Sequence, residues 1–484
     1  MSKKTKQVLK MGSKDSKKTE EKFKNFSEWY NEIIEKSNLS DKRYPVKGMN
    51  IWTPYGWELM QNIDRETRRL MKETNHQEVK FPLLIPEKEF EKEGDHIKGF
   101  GDDVYWVTHA GQNELDVPLL LRPTSETAMY PIFDLWVRSH VDLPLKTYQM
   151  VNVFRYETKQ TRSFMRMREF HFFEAHTCHA TEQGAEDQIK EDLEIMDELA
   201  EKLCMPYLKI QRTEWDKFPG ADYTVGGDVL MPTGRTLQIA GIHQYKTNFS
   251  KAYDITFEDE DGEHKNVHQT TYGMSERLVG ALIGMHGDDN GLVLPPAVAP
   301  IQVRIIPIVY EDEEKIMEYC SNLKEELENK RIRVDIDERD ERPGSKFYDS
   351  EMKGIPVRLD IGSNEVEKDN VTVVRRDNDD KSSVAKEELI ETVEKTFNKM
   401  EEDMYEEAER FLRNNIDNVD EFSEIQEKKI YRIGWCGEKI CGEDIEEITD
   451  KSILGTKYGG EEYKGKCINC GKETDKVVYL SKTH

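Results

Sequence analysis

The hydrophobic pattern along this 484-residue chain changes period several times. In NIDRETRRLMKETNHQEVKFPLLIP (62–86), apolar residues at Ile63, Leu70 and Met71 keep helical spacing, and a short apolar run closed by prolines follows. That predicts a long helix and then a strand. VNVFRYE (151–157) has a period of two, with Arg155 and Glu157 on one face and Phe154 and Tyr156 on the other. FMRMREFHFFE (164–174) alternates in the same way and groups Arg166, Arg168, Phe170, Phe172 and Glu174. The polar KQTRS between them predicts an antiparallel hairpin with a long loop. GMSERLVGALIGMHG (273–287) repeats apolar residues at Met274, Leu278, Leu282 and Met285, which predicts a helix. Its glycines suggest close packing against a sheet.

GLVLPPAVAP (291–300) breaks regular structure and marks a domain boundary. Strand-like VRIIPIVY, RIRVDID, IPVRLDI and VTVVRR then alternate with a helix over 311–330 and another around Lys346–Met352. This predicts a small α/β domain with a largely parallel sheet. From about Ser382 an acidic helical stretch leads into a cysteine-bearing end. Residues 1–24 carry nine lysines and three acids. They read as a solvated tail, with contact to RNA phosphates as the alternative. The expected divisions are a tail at 1–25, a first domain at 26–296, an α/β domain at 300–398 and a C-terminal unit at 399–484.

Composition narrows the function. No run of 18 apolar residues exists, so a membrane-spanning helix is excluded. The lysine-rich start lacks the apolar centre of a secretory signal, so a cytoplasmic protein is expected. Seventy basic against 96 acidic residues give a net charge of −26. That argues against nucleic-acid binding through the whole surface and leaves room for a local basic groove, at Arg331, Arg333, Arg358, Arg375 and Arg376.

Cys178, Cys204 and Cys320 are scattered, whereas Cys436, Cys441, Cys467 and Cys470 form a C-x4-C, 25-residue, C-x2-C array. Two close pairs of thiolates suit tetrahedral Zn²⁺ with no open position, hence a structural site. Unliganded thiols and an iron–sulfur cluster are the alternatives.

Arg155, Glu157, Arg166, Arg168 and Phe170 on one hairpin face cannot be an ordinary buried surface, because unpaired buried charge is too costly. Arginine forks match phosphate oxygens and an aromatic ring can stack on a base. The face reads as a nucleotide site or as a solvated ladder of ion pairs. Arg277, near a helix start, could meet an anion. RPTSET (122–127) reads most plainly as a helix cap, and His243 as a core histidine. In a straight strand Gln238 and His243 face opposite ways, so a shared pocket requires a bulge, placed at Ala240–Gly241. No P-loop, GxSxG elbow or HExxH is present.

Together these stretches resemble a class II aminoacyl-tRNA synthetase. The helix before VKFPLLIP resembles motif 1, with Pro82 as its proline. FRYE and the return strand through Phe170 and Glu174 resemble motif 2, and GMSERLVGALIG resembles motif 3. RPTSET, EWDKFPGADYT, HGDDNGLVLPP and VTVVRRD resemble the prolyl-tRNA synthetases of archaeal and eukaryotic type, from about Phe26 to His484. The resemblance implies an α+β fold: a six- or seven-stranded antiparallel catalytic sheet, an α/β anticodon-binding domain, a zinc-bearing end and a homodimer built on motif 1. It implies catalysis by Arg155 and Arg277. It implies ATP contacts from Arg155, Glu157, Arg166, Arg168, Phe170, Gln238, Gly241, Ser275 and Arg277. Proline contacts would come from Thr124, Glu126, Arg155 and His243, and metal ligands from the four C-terminal cysteines. Mg²⁺ with ATP, Zn²⁺, L-proline and tRNA(Pro) are the implied partners. Another class II synthetase of threonyl type and a silent RNA-binding paralogue are the rivals.

Four positions depart from the family pattern: Gly241 for threonine, Ser345 and Ser350 for tryptophans, and His484 for tyrosine. At Gly241 either the threonine contact is simply lost or the backbone takes a left-handed conformation that only glycine allows; the second is expected, because the loop QYKT after His243 also differs. The 100 residues from Glu174 to Met274 leave no room for a large inserted editing domain.

Overall fold

The computed structural model describes residues 19–92, 103–310, 312–426 and 428–484. Residues 1–18 of the expected tail lie outside them. Among the described residues, eleven strands form one continuous sheet. Seven of them run in the order Leu208–Gln211, Tyr223–Leu230, Thr236–Lys246, His268–Ser275, Glu169–His179, Leu145–Phe154 and Gln77–Glu78. All neighbours are antiparallel except the last pair. This is the expected catalytic-type core. The sequence did not show that the sheet continues. Ser452–Lys457 pairs with Leu208–Gln211 through Thr456↔Gln211 and Lys457↔Ile210, and three more C-terminal strands follow. The cysteine-bearing end therefore extends the central sheet and is not a separate appendage.

Helices cover the sheet. Pro54–Glu73 starts where Thr53 accepts from the Gly56 amide and Pro54 sits in the first turn. Its apolar stripe, including Leu59, Met60, Ile63, Leu70 and Met71, enters the main core. Arg277–His286 is buried almost all round. A Cβ at Gly280 would stand 2.9 Å from the Phe164 carbonyl oxygen, so the expected close approach of glycine is present.

The hairpin pairs Leu145↔Cys178 through Phe154↔Glu169. Arg155, Glu157, Arg166 and Arg168 thus lie in the connecting loop, beyond the ladder. Only Phe170, Phe172 and Glu174 keep the expected alternation within a strand. The alternating text of the loop is not a pleat: Arg155, Glu157 and Arg166 line a cavity together with Met165 and Met167, and Arg168 does not.

The following domain has a five-stranded sheet ordered Val334–Ile336, Val303–Pro307, Val357–Ile361, Asn370–Arg375 and Lys381–Ala385. The first three are parallel and the last two antiparallel, so the sheet is mixed where a largely parallel one was expected. Helix Leu389–Asn414 runs unbroken across the expected boundary at 398/399. Leu389 and Val393 pack into the five-stranded domain, Met400 and Met404 against Cys204 and Val293, and Leu412 beside Leu454 and Tyr479. One helix thereby ties three regions.

The expected basic groove is not assembled from the arginines proposed for it. Arg376 holds Asp288 at 2.6 and 2.9 Å, Arg358 holds Asp360, and Arg375 holds Asp377 and Asp403. Arg333 donates to the carbonyls of Pro296, Ala297 and Ala299. Of the five, only Arg331 is exposed. In so acidic a chain, internal carboxylates are the nearest partners. The tail expectation also fails at its end. Glu20–Lys24 is helical, and buried Lys22 donates to Met285 O at 2.9 Å and Gly287 O at 2.6 Å, capping Arg277–His286. Burial lowers its pKa to about 8, against the pull of Asp288.

Burial holds five histidines neutral: His76, His243 and His484 with pKa values of about 3, and His179 and His286 of about 4. As pH falls through 6.5 the unfolded chain binds these protons and the folded chain does not. Stability is therefore lost toward acid, by at most about 1.4 kcal/mol per pH unit for each histidine. Asp192 and Glu276, both raised to about 8 by burial, act in the opposite sense. Smaller shifts act in both senses, His268 lowered and Asp216, Glu401 and Glu446 raised. The strongly shifted histidines outnumber the strongly shifted carboxyls, so calorimetry should give a lower melting temperature at pH 5 than at pH 7; an unchanged value would contradict the burial of these rings.

Candidate functional site

The sheet strands Thr236–Lys246, His268–Ser275 and Glu169–His179 floor a cavity of about 350 Å³. Its two ends differ in charge. At one end stands Glu126, the first residue of helix Glu126–Trp136, only 2% exposed. The Thr124 hydroxyl donates to one carboxylate oxygen and Tyr245 Oη to the other at 2.8 Å. RPTSET is therefore not the expected cap: Ser125 donates to Glu174 instead of to its own helix, and no side-chain cap is made. His243 Nδ1 meets Thr224 Oγ1 at 2.9 Å, and its ring stacks on Phe218 at 4.5 Å.

The strand carries the required bulge, shifted from its expected place. Pairing passes from Gly227↔Ala240 to Asp228↔Gln238, which leaves Ile239 as the extra residue. Gln238, Gly241 and His243 all line the cavity as a result. Gly241 is not among the residues of positive φ. The expectation of a glycine-only backbone there is wrong: moving the bulge to Ile239 removes the need for it.

At the other end three arginines converge. Arg155 Nε donates to Pro123 O at 3.0 Å, and its guanidinium lies 5.5 Å over the Phe170 ring. Arg277 donates to Met165 O at 2.9 Å and Gln238 O at 3.3 Å. Burial lowers its pKa to about 10, and the charges of Arg155 and Arg166 add to the effect. Arg166 pairs with Glu157 at 2.8 Å and donates to His484 O at 3.1 Å. Ser275 also lines the cavity. Arg168 does not: it donates to Glu157 O at 3.0 Å, lies 4.2 Å over Tyr156, and steadies the loop from behind.

Several residues in or beside the cavity escaped the sequence reading. Tyr245 shares the face of His243 at a spacing of two, a signal that was available. Arg212 had none. It is buried, pairs with Asp228 at 2.8 Å, and fits only because residue 226 is glycine: a Cβ there would lie 2.2 Å from its Nη2. Phe218 sits in an irregular loop with no periodicity to read.

The Sγ atoms of Cys436, Cys441, Cys467 and Cys470 lie within 4.8 Å of one another. Gly437 and Gly471, at φ +89° and +72°, turn the backbone around them. Burial alone would raise the Cys467 thiol, but the amides of Cys470, Asn469 and Cys436 bring it down to about 7. The donor set fits a tetrahedral thiolate-bound metal.

Residues 105–286 match the model of the class II tRNA synthetase core domain (G, H, P, S and T), and residues 302–396 that of an anticodon-binding domain. Fold and cavity thus define a class II aminoacyl-tRNA synthetase. Residues 419–484 match the prolyl-tRNA synthetase C-terminal model. The chain is 52% identical over 471 residues to the proline–tRNA ligase of Thermococcus kodakarensis, covering 95% of this chain and 98% of that one. It is 53% identical over 470 residues to that of Pyrococcus horikoshii, with the same coverage. A Giardia lamblia prolyl-tRNA synthetase in complex with prolyl-adenylate superposes with a TM-score of 0.92 at 33% identity, covering 96% of this chain and 99% of that chain. A Cryptosporidium parvum prolyl-tRNA synthetase complexed with halofuginone and AMPPNP gives 0.91 at 33% identity, with coverages of 96% and 98%. The chain belongs to the prolyl-tRNA synthetase family.

A Cβ at position 241 would stand 3.2 Å from His243 Cε1 and Nε2 and 3.3 Å from Gln238 Nε2, with no backbone in the way. Small shifts of those side chains make room. Gly241→Thr should therefore fold with stability changed by less than about 1 kcal/mol and bind ATP more tightly by about 0.5–1.5 kcal/mol, the net value of one hydrogen bond. Melting temperature and the KM for ATP in pyrophosphate exchange decide it; a strongly destabilised variant would refute the extended backbone at this position.

Proposed function

We propose that this protein activates L-proline with ATP and transfers it to tRNA(Pro). The observation that carries the reading is the polarity of one cavity, with buried Glu126 at one end and Arg155, Arg166 and Arg277 at the other. Glu126 accepts from the secondary ammonium of proline, while Thr124 and His243 shape the pocket around the ring. Neutral His243 adds no positive charge beside that ammonium. The proline carboxylate, already ionised, attacks the α-phosphorus of ATP, a new O–P bond forms, and pyrophosphate leaves. No general base is required. Catalysis rests on alignment and on charge held against the phosphates. Arg155 holds the α-phosphate and carboxylate, Arg277 the γ-phosphate, Phe170 the adenine face, and Glu157, Arg166, Gln238, Gly241 and Ser275 line the nucleotide end. Mg²⁺ arriving with ATP supplies further neutralisation of phosphate charge. The 3′ hydroxyl of tRNA then attacks the prolyl carbonyl and AMP departs.

Zn²⁺ held by the four cysteines stabilises the C-terminal strands. The chain works as a homodimer through the surface beside Pro82, where Leu83, Leu84, Trp106, Val117 and Trp136 are each 38–46% exposed. No described helix is long and apolar enough to cross a membrane, in keeping with a cytoplasmic enzyme of translation.

Pyrophosphate exchange across the twenty amino acids should respond strongly to proline alone. A response to threonine would favour the threonyl-type reading, and silence throughout would favour a non-catalytic paralogue. Glu126→Ala should cost about 2–4 kcal/mol in kcat/KM for proline, because it strands a buried ammonium; unchanged kinetics would remove Glu126 from the pocket. Cys467→Ser should release about one zinc per chain and lower the melting temperature. Because the C-terminal strands extend the central sheet, melting should show one shared transition, not a separate early one.

A further inference from the structure

Helix Lys439–Thr449 carries Cys441 and, next to it, Gly442. Gly442 is buried, and a Cβ on it would lie 2.6 Å from the Cη2 atom and 2.9 Å from the Cζ2 atom of Trp215. The same indole stands edge-on to Trp435, the neighbour of Cys436, with ring centres 6.0 Å apart. Trp215 is thus gripped between residues adjoining two of the four cysteines. It does not itself line the cavity, but the next four residues, Asp216 to Pro219, do.

The loop carrying Trp215 is short and tightly bonded. The amides of Asp216 and Lys217 both donate to Thr213 O, at 3.1 and 3.0 Å. The Phe218 amide donates to Thr224 Oγ1 at 2.9 Å, the same oxygen that meets His243 Nδ1. A displacement of Trp215 must therefore move Phe218 and its stacking partner His243. A second tie reinforces the first: Arg212, at the start of the loop, donates to Leu454 O in the C-terminal strand Ser452–Lys457 at 3.1 Å. The C-terminal strands also reach the arginine end, where Arg166 donates to His484 O at 3.1 Å, but that contact lies outside the cysteine-bearing helix, and among the described residues no contact joins the helix itself to Phe170 or Arg277.

We propose that the cysteine-bearing segment is a positioning element for the amino-acid end of the active site. It acts through the seat that Gly442 offers Trp215, and it sets affinity for proline without setting affinity for ATP. This rests on the proline-activating reading above. Alanine for glycine in a helix ordinarily stabilises, so a loss on Gly442→Ala reports the clash with the indole. Phenylalanine lacks the Cη2 and Cζ2 atoms and relieves that clash.

The test uses the full-length protein in proline-dependent pyrophosphate exchange. Gly442→Ala should raise the KM for proline at least threefold and leave the KM for ATP within twofold. Adding Trp215→Phe to Gly442→Ala should bring the proline KM most of the way back. Should Gly442→Ala fail to fold, Trp215→Phe alone, which empties the seat, should still raise the KM for proline selectively. An unchanged proline KM, equal changes for both substrates, or no recovery in the double variant would overturn the proposal. So would a fall in bound metal that tracks the KM, because the effect would then run through loss of the cysteine ligands. Wild-type protein that gave no proline-dependent exchange would instead refute the functional reading, so the two failures are distinguishable.

Discussion

The structure is organised around the cost of keeping charge out of water. Arg155, Arg166 and Arg277 share one cavity, and their mutual repulsion is part of why Arg277 holds its proton less firmly than an exposed arginine. Arg155 and Arg277 are tethered largely by neutral carbonyl dipoles of Pro123, Met165 and Gln238. Carbonyls fix the position of a guanidinium without cancelling its charge. Such a cluster suits a polyanion, and the proposed binding of a triphosphate there would relieve the repulsion. The supporting groups follow from this demand. Met165 and Pro123 must present carbonyls inward, which fixes the paths of the loop after Phe154 and of the turn before Glu126. Gly280 must be small for the Phe164 carbonyl to pass.

The proline end obeys the same constraint with the opposite sign. Glu126 is buried and satisfied on both oxygens by hydroxyls of Thr124 and Tyr245. Hydroxyls fix the position of the carboxylate without placing a cation against it, which is what the proposed ammonium site needs. Beside it His243 is held neutral by burial. A protonated imidazole would repel the ammonium that the proposed function assigns to Glu126. At both ends, then, dipoles position a charged side chain, Glu126 by hydroxyls and Arg277 by carbonyls, while Arg166 is held by the Glu157 carboxylate.

Much of this was legible in the chain. The helix at 277–286, its close-packed glycines and the four clustered cysteines follow from spacing alone, and the odd count between Gln238 and His243 required a bulge once both were assigned to one pocket. What was not legible shares a physical character. The arginines of the motif 2 loop alternate with apolar residues because the loop folds over a cavity, which mimics a strand in text. The position of the bulge at Ile239 depends on pairing with Gly227 and Asp228, partners that a single strand does not reveal. Arg333, Arg358, Arg375 and Arg376 look like a basic surface until the fold brings Asp288, Asp360, Asp377 and Asp403 and three carbonyls to them. Arg212 and Trp215 lie in an irregular loop whose meaning comes from residues more than two hundred positions away, Leu454 and Gly442.

That last pair shows why the sheet runs through eleven strands when seven would floor the site. A pocket that must discriminate a small imino acid needs its walls fixed to a fraction of an ångström. The wall carrying Phe218 is a loop, the least constrained kind of element. Strand Leu208–Gln211, which leads into that loop, would be a sheet edge if the core ended there. The C-terminal strand Ser452–Lys457 pairs with it, removes the edge, and places Leu454 O against Arg212 and the cysteine-bearing helix against Trp215. In the positioning role proposed above, the four-cysteine cluster stiffens the helix at the point where it meets the loop. Rigidity at the proline end is supplied from the far end of the chain. At the other end of the cavity, Arg277–His286 is capped by Lys22 near the beginning of the chain. The two halves of the reaction centre are thus braced by described residues far apart in sequence, Lys22 on one side and Gly442 and Leu454 on the other.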